Sequence, residues 1–316
     1  MPEINNLVSL LRKRSAETPL FTPLVYLRDG EQDEQPITYR QLDESAQKLA
    51  GHFQSLNLKG KRILITIPQS IEYFVSFFGC LYAGVIAVPS NPPSNNRNME
   101  RLQTIIKDSG ADFILADQSL YNFFKKKSKE VSENNFLIYE DLLRSEKKWT
   151  PHPVDKNDIA YLQYSSGSTG DPKGIKISHE NVMTNAKGCV HALPPNLKRV
   201  VSWIPIFHDM GLISMLTYIF VGDVCCYFMN PAHFIQKPIR WFDAIHRYRG
   251  QYTVAPNFSF DLLCKKTSDS EIEKLDLSCL KSITCGSEKV RLHTIRNFYK
   301  KFGGTDLDLK AFKPSY

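Results

Sequence analysis

A chain of 316 residues, 42% hydrophobic and 23% charged, is long enough for two modest domains or one large one and has the balance of an ordinary soluble enzyme. Its formal charge of +7 permits an acidic ligand, but the excess lysine and arginine is scattered, and no basic stripe interleaved with aromatics points to nucleic acid. Seven cysteines, an odd number without C-x-x-C spacing, argue against a disulfide framework or structural zinc and fit a reducing cytoplasm. The N-terminus lacks the basic-then-apolar order of a signal peptide. The longest uncharged run, 73–96, is interrupted by Gly79, Gly84 and prolines, so no transmembrane segment is expected.

In chain order, the spacing predicts a helix over 7–14, a strand over 24–27, a turn at Asp29-Gly30, and a helix running from a capping Thr38 to about residue 56. The continuous apolar run 62–67 reads as a strand buried on both faces of a parallel sheet. A helix over 71–82 and a strand over 85–88, ended by Pro89, complete a βαβ unit. The alternation continues with a helix at 99–109, a strand at 113–116, a helix at 120–131 and a strand at 136–139. The charged, proline-containing stretch 144–157 reads as a surface connection.

That connection leads to Tyr161-Leu-Gln-Tyr-Ser-Ser-Gly-Ser-Thr-Gly-Asp-Pro-Lys-Gly-Ile-Lys-Ile-Ser178. A strand ends near Tyr164, and another resumes at Ile175. Between them Ser165, Ser166, Gly167, Ser168, Thr169, Gly170 and Lys173 gather hydroxyls, glycines and a cation within ten positions. Small residues let the backbone approach a ligand, and consecutive N–H groups form a concavity for anions, with triphosphate the natural guest. The common P-loop, Gly-Lys-Ser/Thr running into a helix, is excluded because a strand follows. A mobile Gly/Ser hairpin without ligand is the competing reading.

Beyond the loop the pattern predicts helices at 181–190, 215–220, 239–248 and 259–265, a helix ending at Phe302, and strands at 200–203, 223–229, 252–255 and 280–285. The βα alternation thus occurs twice, suggesting two stacked α/β units divided as 1–190 and 191–316, with residues 1–45 open to packing with the second. Ligands of open α/β sheets sit beyond the carboxyl ends of strands. Three stretches there carry chemistry: Pro205-Ile-Phe-His-Asp-Met-Gly-Leu212, Val254-Ala-Pro-Asn-Phe-Ser-Phe-Asp-Leu262 and Thr284-Cys-Gly-Ser-Glu-Lys-Val290.

Ser-Ser-Gly-Ser-Thr-Gly-Asp-Pro-Lys-Gly resembles the phosphate loop of the AMP-forming adenylating enzymes: acyl-CoA synthetases, luciferases and peptide-synthetase adenylation domains. Pro256-Asn257-Phe258 with Phe260-Asp261, Asn91-Pro-Pro93 and Phe207-His-Asp-Met-Gly-Leu212 bring the resemblance closer to fatty acyl-AMP ligases. It implies the N-terminal domain of that family, two stacked βα subdomains, truncated before the small barrel and the C-terminal lid. It further implies ATP and Mg2+ as cofactors and activation of a medium- or long-chain fatty acid to acyl-adenylate and pyrophosphate, with an acyl carrier protein as acceptor. Lys173 and the loop would hold phosphate, and His208 the carboxylate and α-phosphate. Gly286, Ser287, Glu288 and Tyr316 would meet adenine, although Cys285 stands where the family has Asn. His208, Ala255, Asn257, Phe258 and Ser259 would face the acyl chain. No metal ligand is assigned within the chain, since the family's metal-linked Glu would follow Tyr316. An acyl-CoA ligase and a non-catalytic nucleotide- or acyl-binding module are the alternatives.

Overall fold

The computed structural model describes residues 4–93, 96–127, 135–165 and 172–315. From the N-terminus run α1 (Leu7–Glu17), β1 (Leu24–Leu27), β2 (Glu34–Ile37), α2 (Tyr39–Ser55), β3 (Arg62–Ile65), α3 (Ile71–Tyr82), β4 (Ile86–Pro89), α4 (Asn96–Ser109), β5 (Phe113–Ala116), α5 (Gln118–Lys127), β6 (Phe136–Ile138), α6 (Tyr139–Leu143), β7 (Ile159–Ser165), β8 (Lys173–Ser178) and α7 (His179–Val190). There follow β9 (Arg199–Ser202), α8 (Asp209–Val221), β10 (Cys225–Met229), α9 (Pro231–Gln236), α10 (Ile239–Tyr248), β11 (Tyr252–Pro256), α11 (Asn257–Lys266), α12 (Asp269–Ile272), β12 (Ser282–Gly286), α13 (Leu292–Phe302) and β13 (Phe312–Pro314).

Local chemistry explains many of the boundaries. Thr38 accepts from the Gln41 N–H while the Gln41 side chain reaches back to the Thr38 N–H, a reciprocal cap that starts α2. Asn230 caps α9 ahead of Pro231 at its first position. Asp29 Oδ1 accepts from the backbone of Glu31, Gln32 and Asp33, closing the turn between β1 and β2.

The chain divides into two compact units. One comprises Met1–Phe21, Thr38–Ala186 and Phe207–Asp209; the other Thr22–Ile37, Lys187–Ile206 and Met210–Tyr316. The first 45 residues therefore split, with residues 22–37 joining the second unit and their flanks the first. The first unit holds a six-stranded sheet in the order β6-β5-β3-β4-β7-β8, parallel except for the β7–β8 edge pair. The second holds seven strands, β13-β12-β11-β9-β10-β1-β2, parallel except for the β1–β2 edge pair. Each sheet is thus a parallel α/β sheet finished by an antiparallel edge.

Ile63, Leu64 and Ile65 of β3 and Ile114, Leu115 and Ala116 of β5 are buried, as strands covered on both faces must be. The second unit's core is aromatic: Trp203 stacks on Phe234 at 3.9 Å, and Trp241 meets Phe242 and Phe260. The buried Trp241 indole donates to Thr253 Oγ1, which donates to the Val201 carbonyl, so neither polar group is orphaned.

The structure adds β2, α6, α9, α12 and β13 to the predicted elements and moves several starts. Helices read from 181, 215 and 259 begin at His179, Asp209 and Asn257. Tyr139, read as strand, opens α6, and residues 128–131, the end of the predicted helix 120–131, lie outside the described residues. The connection 144–157 is anchored rather than loose. Trp149 donates to the Tyr82 carbonyl and packs on its ring at 5.2 Å, and His52 Nε2 lies 2.7 Å from the Ser145 carbonyl.

Candidate functional site

The first unit presents the β7–β8 hairpin. Ser165 pairs with Lys173, Tyr164 with Gly174 and Gln163 with Ile175. Glycine at 174 is a steric requirement: a Cβ there would lie 2.8 Å from the Tyr164 ring and hydroxyl. Tyr164 in turn donates to Asp108 Oδ2 at 2.6 Å, and burial together with that carboxylate pushes its pKa up. The stem is therefore pinned by its own cross-strand ring. Ser165 and Lys173 are exposed at its tip. Ser166, Gly167, Ser168, Thr169 and Gly170 lie outside the described residues, as does Tyr316.

Segment 207–209 belongs to the same unit. His208 Nδ1 lies 2.6 Å from Asp209 Oδ1, which fixes the ring's orientation. The Gln163 side-chain amide donates to the Phe207 carbonyl at 3.1 Å. Ser90, Asn91, Arg101, Tyr164, Phe207 and His208 line a small cavity of about 170 Å³ here, an anion-friendly set of donors beside the hairpin stem.

The second unit holds a larger cleft of about 1010 Å³. Its walls come from α8 (Met210, Ile213, Ser214, Thr217, Tyr218), β11 (Tyr252, Val254), the end of β12 (Thr284, Gly286, Ser287) and the end of β13 (Pro314, Ser315), with Leu193 and Pro194 opposite. The α8 residues recur at i, i+3, i+4, i+7 and i+8, one face of a helix. At the carboxyl end of β12 the backbone is crowded. A Cβ on Gly286 would lie 2.8 Å from the Ser315 carbonyl oxygen, and Ser315 N–H donates to the Cys285 carbonyl. Ser287 then takes a left-handed φ of 63°, with its hydroxyl 3.1 Å from Met210 Sδ.

Gly286 and Ser287, expected from the resemblance to meet adenine, line the cleft. Glu288 does not line it: its carboxylate accepts from the Phe258 N–H at 2.7 Å, in the first turn of α11 where the helix dipole favours an anion. Ala255, Asn257, Phe258 and Ser259 cluster at the β11–α11 junction, and none of them lines the cleft; Val254 does. Asn257 donates to Thr294 Oγ1 and accepts from Arg291 N–H, tying α11 to α13. Phe258 is 43% exposed and sits edge-on to Trp203 at 6.1 Å. Cys285 is buried, and its thiol is pushed up to about 12 by burial and by the charges of Glu288 and Asp261, which leaves it unreactive. All seven cysteines are free.

The cleft face of α8 is what the sequence reading missed. Its signal, the helical spacing of Met210, Ser214, Thr217 and Tyr218, becomes visible only once the helix is known to start at Asp209. Among the described residues no group of three His, Cys, Asp or Glu side chains is placed to hold a metal ion. Magnesium commonly arrives with substrate phosphates and few protein carboxylates, so this donor set is compatible with a metal carried by a nucleotide.

Two mostly parallel α/β sheets, a β7–β8 pair flanking the Ser/Gly/Thr stretch in one unit and a crowded Gly-Ser turn beside a cleft in the other are the architecture of a ligand-binding α/β domain. The AMP-binding enzyme family profile matches residues 11–309, and the chain belongs to that family. The chain is 32% identical over 324 residues to the medium-chain-fatty-acid–[acyl-carrier-protein] ligase JamA of Moorena producens, covering 100% of this chain and 55% of that protein. It is also 32% identical to a putative fatty-acid–CoA ligase of Mycobacterium tuberculosis, covering 99% and 56%. The crystal structure of the fatty acyl-adenylate ligase from L. pneumophila in complex with acyl adenylate and pyrophosphate superimposes with a TM-score of 0.90 at 33% identity, covering 98% of this chain and 54% of that one. The chain spans about half the length of these relatives. No helix among the described residues is long and apolar enough to cross a membrane.

Proposed function

We propose that this chain carries the fatty-acid and nucleotide sites of an ATP-dependent acyl-adenylate-forming ligase. The acid's carboxylate oxygen attacks the α-phosphorus of ATP, pyrophosphate leaves, and acyl-AMP results. The observation that carries this reading is the second unit's cleft. It runs along β12 from Ser282 to Gly286, about 13 Å at the rise of a strand, beside Tyr252 and Val254 of β11, which suits an extended alkyl chain of medium length. Its walls are mainly apolar and aromatic, and each methylene buried there adds about 0.8 kcal/mol. In this reading the α8 face and Val254 wall the alkyl chain, with the 255–259 stretch adjoining at the β11–α11 junction.

In this reading Ser165, Lys173 and the loop between them hold the leaving pyrophosphate. His208, oriented by Asp209, meets the carboxylate and α-phosphate, where a donor able to become cationic offsets the approach of two anions. Gly286 and Ser287 offer backbone groups to adenine, and Tyr316, outside the described residues, is read from the resemblance as stacking on it. Mg2+ bound to the phosphates would neutralise charge as the α-phosphorus is attacked. Positioning and charge stabilisation supply most of the catalysis. The acceptor is an acyl carrier protein, and seven free thiols suit a reducing compartment such as the cytoplasm.

Calorimetry with dodecanoyl-sulfamoyl-adenosine, a stable acyl-adenylate mimic, tests the site in this chain. Saturable one-to-one binding is expected, with the acetyl analogue weaker by several orders of magnitude at about 0.8 kcal/mol per methylene. No binding of the dodecanoyl mimic would sink the reading. Offering the complete gene product ATP and dodecanoate with either CoA or a holo acyl carrier protein decides the acceptor. Efficient acyl-CoA formation would assign it to the CoA ligases.

A further inference from the structure

We infer that Gln163 is a positioning residue of the first unit, holding the segment that presents His208 against the strand that opens the phosphate loop. The inference rests on the adenylation reading above for its purpose, and on the first unit's geometry for its substance.

Alternate residues of β7 face opposite ways. Leu162 and Tyr164 pack into the core with Leu64, Leu102 and Ile114. Tyr161 and Gln163 face the other side, and segment 207–209 lies there. The Gln163 Nε2 donates to the Phe207 carbonyl at 3.1 Å, and the negative charge of Asp209 is close enough to Tyr161 to help raise its pKa. Two residues beyond Gln163, at Ser165, β7 ends and the loop begins. One strand therefore carries both anion-binding elements, and Gln163 sits between them.

A purely architectural position would not need this residue. Gln163 is 6% exposed, and its Oε1 is buried without a partner. An unpaired buried acceptor is destabilising, whereas an alkyl side chain like that of the flanking Leu162 would carry no such penalty. The amide's orientation explains the orphan: Nε2 must face the Phe207 carbonyl, so Oε1 must face away. The gain is a fixed distance between the His208 segment and the mouth of the loop. Both are groups that a single nucleotide's α-, β- and γ-phosphates would have to meet at once, so slack between them would weaken both contacts.

Two variants separate this role from bulk packing. Gln163→Met keeps length and volume but removes the donor. Gln163→Glu donates to the carbonyl only while its carboxyl is protonated. The readouts are affinity for dodecanoyl-sulfamoyl-adenosine and the His208 ring resonance of the ligand-free, histidine-labelled chain. Gln163→Met is expected to move the His208 resonance and to weaken the mimic roughly tenfold, the worth of one hydrogen bond. Gln163→Glu is expected to bind weakly at mildly alkaline pH and to recover toward wild type at mildly acidic pH. An unmoved His208 resonance in both variants, with wild-type affinity at both pH values, overturns the positioning role and leaves the adenylation reading intact. Failure of the wild-type chain to bind the mimic removes the adenylation reading, and the resonance alone then decides whether Gln163 holds the segment. Should Gln163→Met not fold, the pH dependence of the Gln163→Glu resonance makes the same decision.

Discussion

In the first unit the residues proposed to meet phosphate fall within ten consecutive positions, 165–174, between strands that pair from Ile159 to Ser178. In the second unit the cleft draws its walls from 189–195, 210–218, 251–254, 281–287 and 313–315, gathered by parallel strands and one helix. The hairpin's geometry is set by near neighbours, Tyr164 against Gly174 above all. The cleft exists only once strands far apart in sequence have paired. Substitutions in the hairpin should therefore act on nucleotide use with little effect on the acyl site, while those in the cleft act on acyl choice and fold together.

The sharpest break is the pair Thr169→Val with Lys173→Ala. Charge-assisted hydrogen bonds are worth about 1.5–3 kcal/mol each, so use of MgATP by the complete gene product should fall roughly a hundredfold or more. Pyrophosphate exchange measures this, and the dodecanoate KM should hardly change. Unaltered ATP kinetics would leave only the ligand-free hairpin.

A second test addresses the first unit's stability alone. His179, directly after β8, is buried and accepts from the Leu7 N–H, and burial lowers its pKa from 6.5 to about 4. Below the unfolded value the unfolded chain binds a proton that the folded chain refuses. Stability should therefore fall as pH drops from 6.5 toward about 4, by up to about 3 kcal/mol. Urea midpoints across that window should show the loss in wild type and a flatter profile in His179→Asn. Equal slopes would mean that His179 is already charged when folded.

Thr217→Phe fills the cleft from the α8 side. Overpacking of this kind costs about 1–3 kcal/mol, which should appear as about a tenfold or larger shift of preference from dodecanoyl toward shorter acyl groups. Competition between acyl-sulfamoyl-adenosines of graded length reads it, and a preference that stays put would place the chain elsewhere. The smallest effect is expected from Ser287→Gly. Relief of its left-handed backbone should stabilise the chain by at most about 1 kcal/mol, seen as a small rise in Tm. A fall would show that the contact with Met210 Sδ outweighs the strain.

What the sequence made legible follows the same division. The apolar runs of β3 and β5, the Thr38 cap of α2 and the hairpin loop are all local patterns, and the strands and helices they signal are present. β2 was not legible because Glu34-Gln-Pro-Ile37 is polar and contains a proline, tolerable only at a sheet edge, where β2 lies. β13 is three residues long and paired only with β12, and α12 is a single turn. The contiguous Pro-Asn-Phe motif makes 255–259 the acyl wall that the sequence predicts. Those side chains build the β11–α11 junction, Asn257 through Thr294 and Arg291. The cleft proposed for the acyl chain is walled by a helical face spread over 210–218, a pattern that shows only when the helix starts at Asp209.

The pairing of β1 with β10 has a consequence for how the chain is made. Leu24 must find Cys226, about 200 residues later, which at about 5–20 residues per second is a wait of roughly 10–40 s on the ribosome. Throughout that interval Leu24, Val25 and Leu27 have only the polar β2 as a sheet neighbour, and an uncovered apolar strand edge invites wrong partners. Neither unit is a continuous stretch of chain, so no single cut releases one of them whole, and the second cannot finish until its last strands emerge. Slowing synthesis between β2 and β10 should therefore lower soluble yield more than slowing it after β13.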